Sequence, residues 1–224
     1  MTDQSKKEFK ELLTRDAKSG KLGRRDFMRF AVAAGMTVPL ASGLWTSEVA
    51  AATPKKGGKF RVGVHDVNTS DSHDPGTYQS VGQIQIAHAH RSYLTEITPE
   101  NGLGPDMADS WSASPDAKTW TFELNKNATF HNGKKFTSAD AVASLNHHRG
   151  EKSTSGGKAL LSTVTDIRAK GDHAIEIELT QGSADLPWFM TDYHLVMIPA
   201  KADGTADWES GTGAGPYEIT SHKP

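Results

Sequence analysis

The stretch from Leu103 to Arg149 constrains the fold more than any other part of the chain. Trp111-Ser112-Ala113 alternates up to a turn at Ser114-Pro115-Asp116-Ala117. Trp120, Phe122 and Leu124 then alternate with Thr119, Thr121 and Glu123, the period-2 pattern of a half-buried strand. Asn125-Lys126-Asn127 turns the chain into Thr129-Phe130-His131, and Asn132-Gly133 turns it again, since Asn-Gly supplies the positive φ of tight turns. Thr137 stands as a helix N-cap with Asp140 three residues on, a short capping box, and Ala141, Val142 and Leu145 give the helix a buried stripe. Strand, turn, strand, turn and capped helix in one run predict an α/β domain with mixed α+β sheets. None of this names a function.

The side chains in that run add a resemblance. Trp111, Asp116, Trp120, Thr121, Phe122, Leu124, Phe130, His131, Gly133, Thr137, Ala139, Asp140 and Val142 fall in one ordered pattern, W…D…W-T-F-x-L…F-H-N-G-K-x-F-T-S-A-D-A-V. It is similar to the extracytoplasmic solute-binding proteins of peptide-type ABC importers, solute-binding family 5. The resemblance runs from about Phe60 to Tyr217 and implies the first lobe of a periplasmic-binding-protein type II-like fold. Members of that family are longer chains with a second lobe, so residues 59–224 are expected to form a truncated N-terminal lobe with the second lobe missing.

The first 52 residues carry a different pattern. Thr2 to Gly23 is polar, with no long apolar stripe. Arg24-Arg25-Asp26-Phe27-Met28-Arg29 precedes an apolar run from Phe30 to about Leu44, and small residues close it at Val49-Ala50-Ala51-Ala52. A charged start, a short apolar run and an A-x-A site are the parts of a secretory signal. Arg24, Arg25 and Phe27 resemble the twin-arginine pattern, with cleavage expected at the Ala50 and Ala52 site. Residues 53–58 then form a flexible mature N-terminus, the translocase is the twin-arginine one, and the destination is the periplasm.

Composition narrows the classes further. A formal charge of −2 and no basic stripe leave no electrostatic footprint for nucleic acid. With no cysteine there is no disulfide, thiolate metal site or cysteine nucleophile. Gly211 to Gly215 is not a dinucleotide fingerprint and no G-x-S-x-G elbow occurs, so no catalytic residue is assigned. Ten histidines invite a metal, but His88 and His90 point to opposite sides of a helix and His147-His148 diverge by about 100°. No metal ligand and no cofactor are assigned.

Along the rest of the chain, Lys59–Val64 is expected as a first strand, with Phe60, Val62 and Val64 on one face. Val81–Leu94 is expected as a helix with Val81, Ile84, Ala87 or His88, and Leu94 inward. A hairpin is expected around Lys170-Gly171-Asp172, a helix over Ala184–Tyr193 burying Leu186, Trp188 and Phe189, and a strand over Leu195–Ile198. Gly211–Gly215 is expected as a hinge-like turn.

The resemblance implies a ligand held between two lobes, with the first lobe contributing the loop after Asp74-Pro75. Matched outward, that loop is Tyr78-Gln79-Ser80-Val81, with Gln79, Ser80 and Val81 facing the ligand and Tyr78 as an apolar wall. Peptide binders often place an acid near Gln79 to meet the peptide's amino end. The same Gln79 and Ser80 suit a helix start, which is the competing reading. The implied function is periplasmic capture of peptides for a membrane permease and ATPase, without catalysis. The alternatives are a non-peptide ligand (nickel chelate, haem, opine or oligosaccharide) or an exported cofactor enzyme.

Overall fold

The computed structural model describes residues 3–46 and 57–221. It divides into two units, Met1–Val62 and Gly63–Pro224.

Among its described residues the first unit contains three helices, α1 (Asp3–Lys18), α2 (Arg24–Ala33) and α3 (Val38–Leu44). Leu13, Ala17, Phe27, Ala31 and Ala41 form a small core, with Trp45 edge-on to Phe27 at 5.4 Å. The polar stretch Thr2–Gly23 thus does supply apolar contacts, through Leu13 and Ala17 one helical turn apart. Lys59–Val64 is not a strand: Phe60 is 92% exposed, and a strand without a ladder partner has nothing to bury its face against. No helix among the described residues is long and apolar enough to cross a membrane. Ala50, Ala52 and residues 53–56 lie outside the described residues.

The second unit is built on two antiparallel sheets. β1 (Thr95–Ile97) and β2 (Leu103–Pro105) form a hairpin whose turn places Asn101 at φ 60°. β3 (Ala108–Ala113), β4 (Thr119–Leu124), β5 (Val164–Ala169) and β6 (Ala174–Leu179) form a four-stranded sheet in the order β3-β4-β6-β5. Trp120, Phe122 and Leu124 point inward, as the period-2 pattern requires, and Phe122 sits opposite Trp111 on β3 and Ile175 on β6. Helix α5 (Ser138–Asn146) packs Ala141 and Leu145 on β5 and β6. Its start is held by the Asp140 carboxylate, which accepts the Thr137 amide at 2.9 Å and the Thr137 hydroxyl at 2.8 Å.

Besides Lys59–Val64, three expected elements differ. Helix α4 spans Val81–His90 and stops four residues early, because Arg91 turns to extended backbone and its buried guanidinium donates to the Thr212 and His73 carbonyls. Its buried face is Gly82, Gln83, Ala87 and His90 rather than Val81 and Ile84. Helix α6 is the single turn Leu186–Phe189, which buries Leu186 but leaves Trp188 42% exposed. Leu195–Ile198 is fully buried without being a strand: the Met197 amide goes to the Ser92 carbonyl and the Ile198 amide to Ser144 Oγ, both at 2.8 Å, so no single neighbour forms a ladder.

Candidate functional site

The loop after Asp74-Pro75 is fixed from both ends. Asp74 Oδ1 accepts the Gly76 amide at 2.8 Å, closing the tight turn Pro75–Thr77. The same oxygen lies 2.7 Å from His147 Nε2, at the C-terminal end of α5, which ties the turn to the sheet-bearing body. Burial pushes the Asp74 carboxyl up, but the hydrogen bonds from His147 and the Gly76 amide outweigh it and leave the group more acidic than usual.

Tyr78 is 3% exposed and donates its hydroxyl to the His73 carbonyl at 3.2 Å. Burial raises its phenol above the ordinary range. Its ring lines a largely apolar cavity of about 290 Å³ with Val67, His73, Gln83 and Ile86. Gln79 is exposed, and its amide donates to Gln83 Oε1 at 3.1 Å. Ser80 caps α4: its Oγ accepts the Gln83 amide at 3.2 Å while its own amide donates back to Gln83 Oε1 at 3.3 Å. The Val81 amide is taken by Asp66 Oδ2 at 3.2 Å.

Gln79 and Ser80 also line a second, polar cavity of about 400 Å³ with Asp66, Asp71, Thr77 and Gln83. Tyr78 and the Gln79–Ser80 pair therefore serve two adjoining cavities that share Asn68, Asp71 and Gln83, and Val81 lines neither. Two residues not assigned from the sequence join this place. Asp71 Oδ2 accepts the Ser80 hydroxyl at 3.1 Å, and Asp66 reaches the helix start from fifteen residues upstream. Asp71 stood in a stretch legible only as loop, and no spacing in the sequence ties Asp66 to Val81.

Arg24 and Arg25 are exposed at the start of α2, whereas Phe27 is 1% exposed in the core of the first unit. His88 is exposed and His90 buried, as opposite sides of α4 require. His147 and His148 go to different partners, Asp74 and Ser155. Among the described residues no group of three or more histidine or acidic side chains is placed to hold a metal ion.

Residues 102–224, more than half of the chain, match the bacterial extracellular solute-binding proteins, family 5 (middle region). The chain belongs to that family. A probable peptide ABC transporter periplasmic-binding protein of Sinorhizobium fredii is 29% identical over 203 residues, covering 88% of this family 5 chain and 36% of the relative. The HTH-type transcriptional regulator SgrR of Salmonella typhimurium is 29% identical over 153 residues, 67% of this chain and 26% of its own length. The crystal structure of Haemophilus influenzae OppA in complex with RPPGFSPFR superposes with a TM-score of 0.61 at 25% identity, over 68% of this chain and 34% of that one. The chain thus spans about a third of the length of the family 5 proteins it matches. Its mixed α/β unit with antiparallel sheets is the family's fold over that third.

Proposed function

We propose that this family 5 chain supplies the first-lobe part of a periplasmic substrate-binding component that captures peptides for an ABC importer. The observation that carries the reading is the polar cavity at the start of α4, where Gln79 and Ser80 meet Asp66 and Asp71 with no basic side chain in the wall. A peptide's ammonium end is the group such a wall suits, because a carboxylate partner favours the charged amine. Gln79 holds the position where peptide binders often carry an acid, and the two aspartates bring negative charge to the same place from the preceding loop. Tyr78 and the neighbouring apolar cavity provide room for a hydrophobic side chain. The role is binding rather than catalysis, with a membrane permease and ATPase as partners.

A native mass spectrum of the protein taken from the periplasm tests this reading. A heterogeneous ladder of peptide-sized adducts is expected. One discrete non-peptide adduct would replace the peptide with another solute, and a bare protein that takes up no added peptide would overturn the reading. Export through the twin-arginine translocase belongs to the same proposal. Substituting Lys for Arg24 and Arg25 is expected to leave the protein unprocessed in the cytoplasm, and unchanged export would refute that route.

The SgrR match favours a second reading, in which the same lobe senses a solute within a regulator. Copurification with a permease and ATPase separates the two, since a sensor has no need of either.

A further inference from the structure

The glycine-rich segment Thr212–Tyr217 is strapped across the corner where α4 ends. The Gly215 amide donates to the His90 carbonyl at 3.0 Å, and the Tyr217 amide to the Ala89 carbonyl at 3.1 Å. The His131 amide donates to the Gly213 carbonyl at 2.8 Å, and His131 Nε2 lies 2.8 Å from the Gly215 carbonyl oxygen. Arg91 donates to the Thr212 carbonyl. A methyl group on Gly213 would lie 2.5 Å from His90 Nδ1, and one on Gly215 would lie 2.7 Å from the Arg91 carbonyl oxygen, so only glycine lets the strap sit this close.

Under the strap, His90 is 2% exposed and neither ring nitrogen has a hydrogen-bond partner. Its ring stands 6.3 Å from that of His73 and 6.0 Å from that of His131. The charged groups acting on it are Arg91, His131 and His73, all of them basic. Arg91 in turn faces Tyr78, Tyr93 and Asp207. The strap segment Thr212–Tyr217 carries no acidic side chain. A proton added to this imidazole would therefore be buried beside a guanidinium with no acceptor, which is costly.

We infer that Thr212–Tyr217 is an acid-releasable clasp, closed while His90 is neutral and lifted when His90 is protonated. Burial first, then Arg91, His131 and His73, depress the closed-state value to about 3, against about 6.5 for a solvated histidine. Protons then bind the open form preferentially, and its population rises nearly tenfold for each pH unit lost between those limits.

The test is amide hydrogen exchange of the full chain, corrected for intrinsic rates, at pH 7.5 and 4.5. Protection of Gly215 and Tyr217 is expected to fall about a hundredfold, with the strap opening at lower free energy than the β4 and β6 amides, which report unfolding of the whole unit, at both pH values. His90→Gln is expected to remove that pH dependence. Unchanged strap protection, or strap amides that exchange only as fast as the sheet at both pH values, would overturn the clasp. If the variant does not fold, the His90 ring titration in the unaltered chain decides. A midpoint near 6.5 with the strap still protected overturns the inference, and a strongly depressed midpoint sustains it.

Discussion

Removing the Asp140 carboxylate tests how far the junction between α5 and the buried 195–200 segment depends on one side chain. The group is fully buried. Oδ2 accepts the Thr137 amide and hydroxyl, Oδ1 accepts the Ala200 amide at 2.6 Å, and Lys134 pairs with Oδ1. In Asp140→Ala two backbone N–H groups lose their acceptor, each costing about 1–3 kcal/mol when left buried. The Thr137 hydroxyl can rotate away. Lys134 is 39% exposed and keeps the Ala200 carbonyl at 3.1 Å, so its half of the ion pair adds little after solvent screening. The sum is about 3–5 kcal/mol, within the range for breaking a buried pair. With a urea slope of about 2 kcal/mol/M, the midpoint should drop by about 1.5–2.5 M. Urea titration of the full chain, followed by tryptophan fluorescence, reads this, because Trp120 is 8% exposed in the sheet of the same unit. Asp140→Asn retains one acceptor and should lose about half as much. A shift below about 0.5 M at unchanged slope would refute the reasoning.

Phe122→Ala should cost about 3–5 kcal/mol, since the ring is fully buried between Trp111 and Ile175; urea midpoints measure it. Ser80→Ala should cost about 1 kcal/mol through the lost cap, with faster amide exchange confined to the first turn of α4. Acid should destabilise the second unit through His90 and His148, both depressed to about 3, chiefly by burial. Below about pH 6.5 the unfolded chain binds protons that the folded chain refuses. Stability therefore falls as the pH drops towards about 3, by up to about 1.4 kcal/mol per pH unit for each histidine. Urea midpoints that stay flat between pH 6.5 and 4.5 would contradict this.

What the sequence made legible was local. Trp120, Phe122 and Leu124 declare their strand by alternation, and Thr137 with Asp140 declares the start of α5, because each signal lies within a few residues. The β5–β6 hairpin was visible for the same reason, with Gly171 at its turn. Elements decided by distant partners were not visible. Leu195–Ile198 has the composition of a strand, yet Ser92 and Ser144 divide its hydrogen bonds. Val81–Leu94 has the composition of a longer helix, but the Thr212 and His73 carbonyls draw Arg91 out of it. At the candidate site the position of the Tyr78–Val81 loop was expected. The contributions of Asp66 and Asp71 were not, since only the folded loop brings those carboxylates to the helix start.

The strand order β3-β4-β6-β5 also has a consequence in time. β4 finds β3 at once, but its other edge waits for β6, which follows after α5 and β5 have been made. Synthesis at about 5–20 residues per second leaves the Thr119–Leu124 edge unpaired for about 3–10 s, with Trp120 and Phe122 uncovered. An unpaired apolar edge invites pairing with another chain. The nascent protein passes through its most aggregation-prone interval here, and a holding chaperone that recognises extended apolar segments would have its best target in β4.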